Sequence, residues 1–183
     1  MNETKAIKLC LDRRDAAGFE YLVKHYRQQA MRHAWGWMGN REDAADACQD
    51  AFRKAFQAMP RLAELERFYP WFYSILRNHC LNLLSRKRTA VRGAEQLKVE
   101  EALQDSIAPQ QSLERAEEEA EVHAALGRLK TEFREILVLK YFSEYSYEEI
   151  SQVVGISRGT VMSRLYYARK AFKRELETME GES

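Results

Sequence analysis

Between Ser146 and Phe172 the chain leaves its backbone little choice. Ser146-Tyr147-Glu148-Glu149 is a capping box, in which the serine side chain accepts an orphan backbone N–H and Glu149 reaches back to the cap, so a helix starts here. Ile150, Val153 and Val154 supply its apolar face, Gly155 permits a sharp left-handed turn, Ile156 plugs the corner and Ser157 caps the next helix. That second helix turns Val161, Leu165, Ala168 and Phe172 inward and distributes Arg158, Met162, Ser163, Arg164, Tyr166, Tyr167, Arg169 and Lys170 over the remainder. The result is a helix-turn-helix whose basic second helix suits a DNA major groove. An ordinary helical hairpin with a solvated basic face is the plainer alternative, but it would leave the common register of cap, plug, turn glycine and basic helix to chance.

Upstream the periodicity is helical too. Asp15 can cap a helix with Phe19, Leu22, Val23, Tyr26, Ala30, Ala34, Trp37 and Met38 at three- and four-residue intervals, stopping near Gly39. Asn40 caps another, with Ala45, Cys48, Phe52, Ala55, Phe56 and Met59 on its inner face, and Pro60 ends it. A third, from about Pro70 to Arg88, buries Phe72, Ile75, Leu76, Cys80 and Leu83, with Pro70 in a first turn that needs no donor. A short helix around Ile7 to Leu11 completes a bundle. With eight Gly, three Pro and no run of alternating β-branched residues, the fold class is all-α.

From Glu95 to Glu121 nine acidic residues face two basic ones, and Pro109, Gln110, Gln111 and Ser112 interrupt any helical pattern. This reads as a polar acidic linker joining two small helical domains: 1–92, then the linker 93–118, then 119–183. A linker this long and polar makes mobility between the halves the default expectation. Beyond it, Leu126, Leu129, Phe133, Ile136, Leu137 and Lys140 mark one further helix leading into the helix-turn-helix.

A net charge of +1 averages over segments of opposite sign. Trp71 to Arg92 holds five basic residues and no acid, and Ser157 to Arg174 holds six and no acid, so the chain offers two separate nucleic-acid surfaces. The apolar runs are short and the N-terminus lacks a secretory segment, which points to a cytoplasmic protein with no membrane insertion. Cys10, Cys48 and Cys80, odd in number and widely spaced, read as buried thiols. His25, His33, Cys48, His79 and Cys80 have no metal-ligand spacing, and His123 adjoins the linker. No catalytic residue, metal or cofactor is therefore assigned.

Ser146 to Leu176 resembles the promoter-binding region 4 of sigma-70 proteins, with Gly155-Ile156-Ser157-Arg158-Gly159-Thr160-Val161-Met162-Ser163-Arg164-Leu165 following that family's G-x-S-x-G-T-V-x-S-R-L. Ala45-Asp46-Ala47-Cys48-Gln49-Asp50-Ala51-Phe52 is similar to its region 2 pattern A-E-D-x-x-Q-D-x-F, and Pro70-Trp71-Phe72-Tyr73-Ser74-Ile75-Leu76-Arg77-Asn78 to its W-L-x-x-I-x-R-N. Both halves match in the right order, and the span left over is too short for the extra promoter domain of larger members. The resemblance is therefore to the extracytoplasmic-function (ECF) subfamily.

The resemblance implies a transcription initiation factor, not an enzyme, that carries core RNA polymerase to promoters and helps melt them. It implies that the polar stripe of Asp43, Asp46, Gln49, Asp50 and Arg53 binds the coiled coil of the polymerase clamp, and that the polymerase flap is a second contact. A solvated helix face is what spacing alone would suggest for that stripe. It assigns the minus-10 element to the third helix and the loop before it, Arg61 to Tyr69. There Phe68, Tyr69 and Trp71 can stack on unpaired bases at roughly 1–3 kcal/mol each. Asn78, Asn82 and Ser85 can read base edges, with Arg86, Lys87 and Arg88 on phosphates. A core role for Trp71 remains open. It assigns minus-35 duplex to Arg158, Thr160, Met162, Ser163, Arg164, Tyr166, Tyr167 and Lys170, and implies an anti-sigma partner.

Two departures bear on specificity: Asn82 stands where the family often has Asp, and Met162 and Tyr167 where the recognition helix often has Arg. Losing those guanidiniums favours contacts to thymine methyls over guanine, an unusual minus-35 preference. The rival is a conventional regulator whose first half senses a ligand or dimerises, which leaves the second basic helix unexplained.

Overall fold

The computed structural model describes residues 1–13, 16–62, 68–94 and 110–182, all helix or turn. The first half holds α1 (Glu3–Arg13), α2 (Ala16–Met38), α3 (Arg41–Ala58), a 3-10 turn (Met59–Arg61) and α4 (Phe68–Ala94). The second holds α5 (Gln110–Arg128), α6 (Thr131–Leu137), a π-helical turn (Val138–Phe142), α7 (Tyr147–Val154) and α8 (Arg158–Glu182). The expected cap Asp15 and most of the loop before α4 lie outside the described residues.

Gly39, at φ +83°, ends α2, because a left-handed residue turns the chain out of the helix at little cost only where there is no Cβ. Asn40 then caps α3 by accepting the Asp43 N–H at 2.7 Å. The inner face of α3 is Ala44, Ala47, Cys48, Ala51, Phe52, Ala55 and Met59. Ala45 points to solvent and Phe56 is 41% exposed, so the face expected from the sequence is turned by about one position. Small residues allow this close seating against α2, and alanine spacing alone does not fix the phase. All three cysteines are free and buried, with burial pushing the Cys48 and Cys80 thiols up to about 12.

Two further expectations are revised. The helix of the second half begins at Gln110, inside the segment read as linker: Leu113 to Glu121 consists wholly of good helix formers, five Glu, two Ala, one Leu and one Arg, and Pro109 suits the start of a helix rather than its interruption. The stripe from Leu126 to Lys140 is broken at Leu129–Lys130, where Lys130 adopts ψ 142°, just past Gly127 in the weakened last turn of α5.

The two halves pack together, contrary to the mobility implied by a long polar linker. The π-helical turn lies on α2, with Val138 buried against Gly36; a Cβ at Gly36 would meet Val138 Cγ1 at 2.6 Å. Glycine in the middle of a helix costs about 1 kcal/mol relative to alanine. Here its place is explained by that close approach. Trp35 meets the Phe142 ring edge-on at 5.3 Å, and His33 meets Tyr145 in the same manner at 5.4 Å.

Candidate nucleic-acid and polymerase interfaces

The helix-turn-helix forms as its sequence dictates. Ser146 and Glu149 complete both arms of the capping box, Gly155 sits at φ +74° and ψ +35°, and Ser157 Oγ accepts the Thr160 N–H at 3.1 Å. The capping contacts also hold the Glu149 carboxyl below its usual range. Val161, Leu165 and Ala168 lock α8 to its neighbours, leaving the opposite face in water. Arg158, Ser163 and Lys170 are exposed, as are Met162 at 52%, Tyr166 at 59% and Tyr167 at 58%. Arg164 and Thr160 are half-buried, and the Thr160 hydroxyl is engaged with the Ser157 cap at 2.8 Å. Tyr166 and Tyr167 meet edge to face, so this helix presents a ring-bearing, cationic surface.

The first half treats its aromatics differently. Phe68 is fully buried, stacked on Tyr26 at 5.5 Å and on Phe72 at 5.8 Å. Tyr69 is 6% exposed, its hydroxyl 2.6 Å from His33 Nδ1, and burial pushes its pKa well up. Neither ring can stack on a base in this conformation. The first turn of α4 closes the core over α2, so an aromatic cluster that reads as base-stacking in the sequence is structural. Trp71 is half-buried and keeps an accessible portion. Ser74, Asn78, Asn82, Ser85, Arg86 and Lys87 line the solvent face of α4; the side chain of Arg88 lies outside the described residues.

On α3, Asp46, Gln49 and Arg53 are exposed and Asp43 and Asp50 partly so. Asp50 pairs with Arg53 at 2.9 Å, which holds its carboxyl below the usual range, and lies 3.4 Å from His79 Nε2. Asp43 is ion-paired with Lys87, which holds that carboxyl down too. A residue expected at the polymerase surface and one expected on minus-10 phosphate therefore bridge α3 to α4. Charge signs on two separate helices do not reveal such a pairing in the sequence.

The second half also has a mainly apolar hollow of about 270 Å³ lined by Val122, Leu126, Leu137, Tyr141, Phe142 and Phe172, with Arg169 as its one charged wall residue. Nothing in the sequence singled it out, since its walls come from α5, the end of α6, the π-helical turn and α8. Among the described residues no group of three His, Cys, Asp or Glu could hold a metal ion, and no helix is long and apolar enough to cross a membrane.

Residues 22–90 match the family model for sigma-70 region 2, and residues 119–172 match that for sigma-70 region 4. The RNA polymerase sigma-H factor of Pseudomonas aeruginosa is 31% identical over 180 residues, covering 94% of this chain and 93% of that protein. The chain belongs to the sigma-70 family. Within it the chain falls in the ECF group: the ECF RNA polymerase sigma factor SigW of Bacillus subtilis is 25% identical over 172 residues, covering 90% of this chain and 92% of the relative. The fold is that of a solved CnrH in complex with the cytosolic domain of CnrY, at TM-score 0.65 and 20% identity over 96% of this chain and 97% of that one. It is also that of RpoE in complex with the anti-sigma factor NepR from Bartonella quintana, at TM-score 0.59 and 22% identity over 87% and 96%. As a sigma factor the chain acts in promoter-specific transcription initiation with RNA polymerase, a non-enzymatic role. The region 2 match takes in α3 and α4 up to Ala90, and the region 4 match takes in the helix-turn-helix.

Proposed function

We propose that this ECF sigma factor grips a promoter at two points. Residues 119–183 bind duplex DNA at minus 35 through Arg158, Met162, Ser163, Arg164, Tyr166, Tyr167 and Lys170, with Thr160 holding the helix start. Residues 1–92 hold the melted minus-10 strand through Asn78, Asn82, Ser85, Arg86, Lys87 and Arg88, with Trp71 as the stacking ring. Preferential binding of the single strand shifts an existing equilibrium towards the open promoter, and the polymerase supplies the chemistry. The observation that carries this reading is the pair of long helices α4 and α8, each with an acid-free basic stretch (Trp71 to Arg92 and Arg158 to Arg174) and each with one face in the core and one in water.

Core polymerase is engaged by Asp43, Asp46, Gln49, Asp50 and Arg53 at the clamp coiled coil, and the apolar hollow of the second half suits the flap. We assign the acidic segment between α4 and α5, residues 95–109, to positively charged polymerase channels, where it mimics nucleic-acid charge. Neutralising those acids is expected to lower initiation; unchanged initiation would remove this part. An anti-sigma partner, as in the solved RpoE–NepR complex, is expected to hold the protein inactive in the cytoplasm. With Met162 and Tyr167 exposed where guanine-binding arginines are common, the minus-35 preference is for thymine-rich sequence.

Footprinting of promoter complexes made with core polymerase tests the proposal. Two protected patches, one at minus 35 that weakens in Tyr167→Ala and one single-stranded patch at minus 10 that weakens in Arg86→Ala with Lys87→Ala, are expected. Protection without polymerase dependence would favour the conventional regulator, and selection of a guanine-rich minus-35 site would overturn the specificity.

A further inference from the structure

Beneath the acidic stripe of α3 lies an ionisable ring supplied by α4. His79 is 8% exposed, and both of its nitrogens meet side chains of α3. Nδ1 is 2.6 Å from Lys54 Nζ. An ammonium can only donate, so the ring accepts there: it is neutral, and its own proton sits on Nε2. Nε2 is shut off from solvent, makes no full hydrogen bond and lies 3.4 Å from Asp50 Oδ2. A buried donor left unpaired is costly, so the ring draws the Asp50 carboxylate towards it. The other oxygen, Oδ1, accepts from Arg53 Nη2 at 2.9 Å. The carboxylate is therefore held from both sides, once by its own helix and once by α4.

We infer that His79 is a positioning residue for core polymerase, presenting the Asp50 carboxylate when neutral and masking it when protonated, a role that rests on the reading of Asp50 as a clamp contact. Asp43, Asp46 and Asp50 make the stripe acidic, so the surface that complements it is cationic. A neutral imidazole sets the direction of Asp50 and leaves its charge for that surface. An imidazolium does the reverse. It can no longer accept from Lys54, and it forms an ion pair with Asp50 that competes with the polymerase cation. The charged groups facing the ring are Lys54 and Asp50 of α3, with Arg53 behind Asp50, and Arg86 of α4. Burial first and then Lys54 oppose protonation, Asp50 favours it, and the ring titrates below the ordinary histidine value of 6.5. Affinity for core polymerase is thus steady above about pH 6.5 and falls below it.

Equilibrium binding of the full chain to purified core polymerase, followed by fluorescence anisotropy at about pH 7.5 and about pH 5.5, tests this. The wild type is expected to bind about fivefold more weakly at the lower pH. His79→Leu, which fills the space without a donor, should bind about tenfold more weakly than wild type at the higher pH. His79→Gln restores a donor near the place of Nε2 and has no proton to gain. It should recover most of that loss and show a flatter pH profile than the wild type. Because the polymerase is common to all, its own titration cancels in these differences. Where His79→Leu fails to fold, the profile of His79→Gln decides. Matching profiles for wild type and His79→Gln overturn the inference, as does full affinity in a folded His79→Leu. Asp50→Asn separates the two layers. Wild-type affinity in that variant removes the clamp reading and the inference with it, whereas weakened binding in Asp50→Asn alone keeps the clamp reading and returns His79 to the core.

Discussion

α4 and α8 are alike in length and each carries a long acid-free basic stretch, yet they hold their aromatic rings in opposite ways. α8 puts Tyr166, Tyr167 and Met162 into solvent, while α4 turns Phe68, Tyr69, Phe72 and Tyr73 into the core and leaves only Trp71 half accessible among its early rings. The difference follows from what each helix packs against. α4 lies in a bundle with long neighbours on two sides, whereas α8 is held by one narrow stripe. The lesson is that an aromatic cluster beside a basic run is a nucleic-acid surface only where the helix has water to face.

Breaking this contrast should have its largest effect in the core. Phe68→Ala removes a fully buried ring and is expected to destabilise the first half by about 3–5 kcal/mol in urea denaturation. Tyr167→Ala should change stability by no more than about 0.5 kcal/mol. A mild Phe68→Ala would mean that the ring is available for bases after all. Trp71→Ala sharpens the boundary case. A loss of about 1–3 kcal/mol in binding to single-stranded minus-10 DNA, measured by fluorescence anisotropy of the polymerase complex, would assign the ring to stacking. A pure stability loss would assign it to the core.

Acid should act on the first half through His33. Burial first, and Arg32 second, lower its pKa to about 3, while an unfolded histidine titrates near 6.5. The unfolded chain therefore takes up a proton that the folded chain refuses, so stability is full above about pH 6.5 and falls as pH drops towards 3. The slope approaches about 1.4 kcal/mol per pH unit. His79 and His123 are lowered as well and add to the same trend, so the difference between wild type and His33→Phe isolates the contribution. Equal slopes for the two between pH 6.5 and 5 would contradict it. The smallest effect is expected at the helix-turn-helix, where Ser146→Ala removes one cap and should cost about 1 kcal/mol in thermal unfolding.

What was legible in the sequence was what local chemistry dictates. Ser146 with Glu149, Gly155, Ser157, Gly39 and Asn40 each satisfy or release specific backbone groups, and each sits where its chemistry requires. The phase of α3 was misread because Ala44, Ala45 and Ala47 are interchangeable by hydrophobicity, and only packing chooses among them. The start of α5 was missed because Pro109 reads equally as a breaker and as a first-turn residue. The packing of the two halves was out of reach, since Arg134 and Glu135, which reach across to Trp37 and Arg77, look like solvated helix charges until a partner surface is supplied. One signal pointed to it: Gly36 between Trp35 and Trp37, a glycine inside an otherwise strong helix, which marks a close approach.

The central claim is that this chain directs polymerase rather than merely binding DNA. Run-off transcription with purified core RNA polymerase on a pool of genomic promoter fragments, with and without the chain, tests it most directly. Discrete new transcripts that appear only with the chain and weaken in Arg86→Ala with Lys87→Ala are the result predicted here. No transcripts from folded protein that still binds DNA would contradict it.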